Sequence, residues 1–237
     1  MDFRFGFINK ERMIVDENFI PLLHMVTNAG IAAKVAEFLL QIKAVKLQPN
    51  QPFTWASGWK SPIYCDNRKT LSYPKVRTFI RQQFVQIINE NFSTPDVIAG
   101  VATGAIAQGA LVAEEMGLPF VYVRPEAKKH GLGNLIEGEI KPGQSVVVIE
   151  DLISTGGSSL KAVEALREAK CDVKGMAAIF TYGFQTATEN FRNADVHLVT
   201  LSDYPSLIRQ ALHDEYISDQ DIATLEAWRK NPSGWGI

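Results

Sequence analysis

Residues 145–170 read SVVVIEDLISTGGSSLKAVEALREAK. Val146 to Ile149 is an apolar, β-branched run, short enough for a strand buried on both faces. Glu150 and Asp151 follow at once, then a loop of small and hydroxyl residues from Leu152 to Ser158. From Ser158 the spacing turns helical, with Leu160, Val163 and Leu166 on one side and Ala162, Ala165 and Ala169 beside them. A strand, a small-residue loop and a helix start aim several backbone N–H groups at one point. The positive end of the helix dipole adds to the attraction for an anion there. Glycines in the loop let the backbone approach that guest closely.

The acid pair narrows the guest. Carboxylates beside a phosphate cradle repel phosphate but accept hydrogen bonds from hydroxyls. A sugar bearing both hydroxyls and a phosphate suits such a site. Thr-Gly-Gly-Ser alone is an ordinary αβ loop; its specificity comes from the apolar run, the Glu-Asp pair and the gap to Thr155 taken together. No G-x-x-x-x-G-K-[ST] string occurs, and no G-x-G-x-x-G follows a strand. The whole string resembles the phosphoribosyl-diphosphate (PRPP) signature of type I phosphoribosyltransferases. That resemblance implies that Glu150 and Asp151 take the ribose 2′ and 3′ hydroxyls. It implies that Leu152, Ile153, Ser154, Thr155, Gly156, Gly157 and Ser158 line the 5′-phosphate site.

Upstream, Val97 to Val101 reads as a buried strand, Ala102-Thr103-Gly104-Ala105 as a tight loop and Ile106 to Met116 as a helix stopped by Gly117. In the family this second loop lies along the diphosphate; glycines for close packing explain it equally well. Phe120 to Val123 is a third strand. It runs into RPEAKKHGLGNLIEG, residues 124–138, where Arg124, Lys128, Lys129 and His130 precede three glycines. A solvated charged face and a lid closing on a polyanion both fit this composition. The segment is similar to the catalytic loop of orotate phosphoribosyltransferases, and Arg124, Lys128 and His130 match that pattern. Pro125 stands where the enterobacterial form has a lysine.

Between residues 52 and 68 the chain reads PFTWASGWKSPIYCDNR. Turn residues interrupt an aromatic stretch, which by itself is a hairpin with Ser57-Gly58 at the tip. Tyr64 could stack on a ring and Arg68 could hold an anion. The pattern Phe-Thr-x-x-Ser-Gly-x-x-Ser-Pro-x-Tyr is similar to the N-terminal motif of orotate phosphoribosyltransferases, in the form found in Bacillus-type bacteria and relatives. Two departures from the enterobacterial form stand out. Ala56 replaces a lysine before the Ser-Gly pair, and Thr181-Tyr182-Gly183-Phe184 lacks the arginine that holds the orotate carboxylate there. The orotate-binding candidates are therefore Ser154, through its backbone, with Tyr64 and Arg68, and Lys60 as the alternative to Arg68 for the carboxylate.

Further helices are expected over 29–42 and 75–92, and further strands at Met176 to Phe180 and Val196 to Val199. Pro205 can open a helix to Leu212, and Ser218 to Asp221 can cap a last one. His197 reads as a strand residue without a ligand role. Alternating strands and helices imply an α/β fold, a parallel sheet flanked by helices. The resemblance makes it Rossmann-like, with a small hood from the N-terminal region. Residues 1–28 read as an N-terminal extension and 29–237 as the phosphoribosyltransferase domain.

The chain's 237 residues suffice for one such domain, and its net charge of −2 offers no field to attract nucleic acid. Cys65 and Cys171 lack metal-ligand spacing; a disulfide and two reduced thiols both remain open. No apolar run approaches the ~18 residues of a membrane span. No metal-ligating set is read from the residues. The resemblance implies a cytoplasmic enzyme of pyrimidine biosynthesis. It transfers ribose 5-phosphate from PRPP to orotate, giving orotidine 5′-monophosphate and diphosphate with Mg²⁺. Lys128, His130 and Asp151 are its catalytic candidates, and a homodimer shares the lid across subunits. The competing readings are a phosphoribosyltransferase for another base and a PRPP-sensing regulator that binds nucleic acid.

Overall fold

Apolar residues along the central strands alternate between two faces, and each face is covered by its own helices. The computed structural model describes residues 24–26, 28–126 and 135–236. In chain order, β1 (His24–Val26) precedes α1 (Ala29–Gln41), whose first turn is capped by the Asn28 side chain accepting from the N–H groups of Gly30 and Ile31. Short strands β2 (Val45–Leu47), β3 (Phe53–Thr54), β4 (Lys60–Ser61) and β5 (Ile63–Cys65) follow, then a 3₁₀ turn over Asn67–Ser72 and α2 (Pro74–Asn91). Next come β6 (Val97–Val101), α3 (Ile106–Met116), β7 (Phe120–Val123), β8 (Ile136–Glu137), β9 (Ser145–Ile153) and α4 (Gly157–Glu168). The chain continues through β10 (Asp172–Thr181), α5 (Gln185–Asn193), β11 (Leu198–Asp203), α6 (Tyr204–His213) and α7 (Asp219–Lys230).

The seven-stranded sheet has the order β1-β11-β10-β9-β6-β7-β8 and is parallel except where β8 pairs antiparallel with β7. Strand periodicity divides the core. Ile98, Val147, Ile149, Ala177 and Ile179 join one cluster with Leu39, Phe84 and Leu207. Val97, Ala99, Val146, Val148 and Ala178 join another with Val163, Leu166 and Phe191. Buried Val76, Ile80, Phe84, Ile87 and Ile88 give α2 its inward stripe. The hood consists of two antiparallel pairs, β2 with β5 and β3 with β4, and Gly58 turns between the latter with φ 86°.

Several boundaries move outward from their sequence expectation. β9 does not stop before the acids but runs on to Ile153, because β10 is long enough to pair with it to the end, Phe180 with Leu152 and Thr181 with Ile153. The loop is correspondingly shorter. The strand expected at 196–199 lies at Leu198–Asp203, and His197 just before it packs edge-on against Phe92 at 5.5 Å. Residues 24–26, inside the stretch read as an extension, form the sheet's edge strand beside β11. Both cysteines are free thiols.

Candidate active site

Parallel strands bring their carboxyl ends to one edge, where ligands bind in open α/β sheets. β9 stands in the middle of that edge and delivers the acid pair. Glu150 is 5% exposed, and its carboxylate accepts from the Ser159 hydroxyl at 2.7 Å and from the Asp151 N–H at 2.9 Å. Burial, with the Asp151 charge beside it, pushes the Glu150 pKa up to about 8. Burial raises Asp151 as well, against the pull of Arg68. A pair held in this state gains from ligand hydroxyls or a cation that favour the ionised form.

Two neighbours fix Asp151. The buried Asn67 side chain donates to its main-chain carbonyl at 2.5 Å. On the other flank the Ala102–Ala105 loop, at the end of β6, presses Gly104 against the carboxylate. A Cβ at Gly104 would stand 2.5 Å from both Asp151 carboxylate oxygens. The loop needs glycine there for that close approach. The two small-residue loops thus form one site.

Ser154, Thr155 and Gly156 link β9 to α4. Gly156 takes φ 80°, and a Cβ on it would meet the Phe191 ring at 2.6 Å. Asn190 on α5 donates to the Thr155 carbonyl at 2.9 Å, pinning the loop from behind. Among the described residues no side chain caps α4, which leaves its first N–H groups available to an anion.

On the β7 flank, Arg124 leaves the strand end and pairs with Glu137 on β8 at 3.3 Å. Lys128, Lys129 and His130 lie outside the described residues. On the β10 flank the chain turns at Tyr182, Gly183 and Phe184, and the Tyr182 N–H donates to the Ile153 carbonyl at 3.1 Å. Trp55 of the hood hairpin packs on Tyr182 at 5.3 Å and on Trp228 of α7 at 5.7 Å. Tyr64 is 40% exposed, with its ring 5.7 Å from Phe53. The Arg68 Nε sits 2.7 Å from Asp66, and that bond, with the Asp151 charge further off, holds the guanidinium pKa above its usual value. Arg68 therefore stands within electrostatic reach of Asp151.

Asn67, Gly104, Trp228 and Arg229 join the site without having been singled out from sequence. Asn67 lies inside the hood motif between Asp66 and Arg68, and Gly104 inside the second small-residue loop, so local signals existed for both. Trp228 reads from sequence only as an apolar position of the last helix, and Arg229 carries no signal. Among the described residues no three or more metal-ligating side chains cluster. The two carboxylates fit a divalent cation that brings most of its oxygens from water and substrate phosphates, as Mg²⁺ does.

The model of the family described as "Phosphoribosyl transferase domain" matches residues 73–204. The hood and α7 lie outside that span. The chain is 61% identical to an orotate phosphoribosyltransferase of Porphyromonas gingivalis over 86% of this chain and 97% of that protein. It is 64% identical to one of Phocaeicola vulgatus over 84% of this chain and 94% of that protein. Among solved structures, orotate phosphoribosyltransferase from Aeropyrum pernix superposes with a TM-score of 0.67 at 28% identity, covering 74% of this chain and 97% of that one.

Proposed function

The chain belongs to the orotate phosphoribosyltransferases, and from that premise we propose how its crevice carries out the transfer of ribose 5-phosphate from PRPP to orotate. The observation that carries the reading is buried Glu150 beside half-buried Asp151, set between an uncapped helix start and a loop that closes on Asp151. Glu150 and Asp151 accept hydrogen bonds from the ribose hydroxyls. The N–H groups of residues 154–158 hold the 5′-phosphate. The Ala102–Ala105 loop lies along the diphosphate.

The C1–O bond breaks as positive charge builds on the sugar and negative charge on the departing diphosphate; a ring nitrogen of orotate then attacks C1. Rigid gripping of phosphate and hydroxyls brings the two reactants in line. Arg124, Lys128 and His130 stabilise the leaving diphosphate and exclude water as the lid closes. Glu150 and Asp151 would be the residues to hold Mg²⁺ together with substrate oxygens, and the ion would supply further charge neutralisation for the leaving group. Tyr64 borders the base, and Arg68 with the backbone at Ser154 takes the orotate carboxylate. The family resemblance supports a homodimer with the lid serving the partner's site. Among the described residues no helix is long and apolar enough to cross a membrane, and a cytoplasmic place fits this chemistry.

Purified protein mixed with PRPP, Mg²⁺ and each base in turn tests the reading. Orotate absorbance should fall, with diphosphate released in equal amount. Turnover of uracil, xanthine or adenine in its place would move the assignment to another base.

A further inference from the structure

β9 divides the crevice. Towards β6 and β7 lie the Gly104 loop and Arg124, which suit a polyanion. Towards β10 lies the turn at Tyr182, Gly183 and Phe184, whose rings are buried in the core, Tyr182 stacked on Phe184 at 5.3 Å and covered by half-buried Trp55, so that the turn's backbone and Trp55 border that side. The aromatic half rests on a helix that lies beyond residue 204, where the match to the general phosphoribosyl transferase domain ends.

That helix is α7. Its Trp228 is fully buried and contacts Trp55, Tyr182, Phe184 and Tyr204 at 5.3–5.7 Å. The next residue reaches the turn itself. Arg229 Nε donates to the Tyr182 carbonyl at 3.3 Å and Nη2 to the Gly183 carbonyl at 3.4 Å, while the guanidinium lies 5.7 Å from the Tyr204 ring centre. The carbonyls follow the carboxyl end of β10, one and two residues beyond its last pairing with β9. A long side chain that holds two successive carbonyls fixes the orientation of both peptide planes.

We propose that Arg229 is a positioning residue for the orotate half of the site: it clamps the Tyr182-Gly183 turn against β9 and so sets the wall on which the base docks. The inference rests on the proposed function above and adds to it a residue far from the motifs. The clamp acts on the β10 flank, whereas the proposed phosphate loop is built on β9 and α4.

The test compares Arg229→Met and Arg229→Lys with the unaltered protein, measuring KM for orotate, KM for PRPP, kcat and Tm. Arg229→Met should raise orotate KM about tenfold, as for loss of charged hydrogen bonds, with PRPP KM within about twofold. Arg229→Lys keeps the charge but offers one nitrogen in place of the two that reach the carbonyls, so its rise should be about threefold and equally selective. Equal shifts in both KM values, or none, in a variant that keeps its Tm and circular dichroism would overturn the clamp. If Arg229→Met does not fold, Arg229→Lys decides alone: a selective rise supports the clamp, and an unchanged or unselective KM refutes it. Absence of orotate turnover in the unaltered protein would sink the functional reading itself, which the same assay reveals first.

Discussion

The half of the crevice proposed for the sugar phosphate and the half proposed for the base are built on opposite plans. The first is nearly continuous in sequence: acids, loop and helix start all fall within residues 150–159, and Asn190 and Gly104 merely brace them. The second is assembled from the hood hairpin near residue 55, the β10 turn near residue 182 and α7 near residue 228, held together by aromatic packing. A phosphate needs N–H groups converging on a point, which one strand–loop–helix unit supplies. A planar base needs walls, and walls come from separate elements.

Removing the hub of the base half tests the contrast most severely. Trp228→Ala deletes a fully buried indole and should cost about 3–5 kcal/mol, read from urea unfolding. Loss of less than about 1 kcal/mol would mean that the hairpin and the β10 turn do not depend on α7.

On the phosphate side, Gly104→Ala forces a methyl group into the Asp151 carboxylate. Activity should drop about 100-fold, since displacement of a reacting group by an ångström has that effect. The fall should appear in kcat/KM for PRPP while the hood and α7 stay intact; unchanged kinetics would separate the Ala102–Ala105 loop from the acid pair.

The acid pair should also register in stability. Glu150 sits at about 8 in the folded protein against 4.5 ordinarily, so between those values the folded state keeps a proton that the unfolded chain has lost. Stability from this proton is complete below about pH 4.5 and is lost as pH rises through about 8. Stability of the free protein should therefore decline across that window, by up to about 1.4 kcal/mol per pH unit. Glu150→Gln should flatten the decline; a profile that rises with pH would show the pair ionised without ligand.

Arg68→Ala should raise orotate KM about tenfold and leave PRPP KM nearly unchanged. Unaltered orotate kinetics would remove Arg68 from the base half. The mildest change touches α7 at its start. Asp221 accepts from the Ser218 N–H and hydroxyl at 2.9 Å, and Ser218→Ala should cost about 1 kcal/mol with catalysis retained.

Legibility followed the same division. The strands Val97–Val101 and Phe120–Val123 and the helix Ile106–Met116 appear where apolar spacing puts them, because each is specified by its own residues. The ends of β9, β10 and β11 were misplaced, because strand length depends on the neighbour with which it pairs. The Ser57-Gly58 hairpin was legible as a turn, but its packing on Tyr182 and Trp228 was not.

By itself the sequence determined the parallel αβ order, a small-residue loop at a helix start and the two acids before it, since these rest on periodicity, glycine and charge within a few residues. Tertiary structure alone decided that Glu150 is buried to a raised pKa, that Gly104 closes on Asp151, and that Arg229 meets the turn after β10. Burial and contact between distant segments depend on how layers stack. No local pattern encodes which side chain arrives from the far end of the chain.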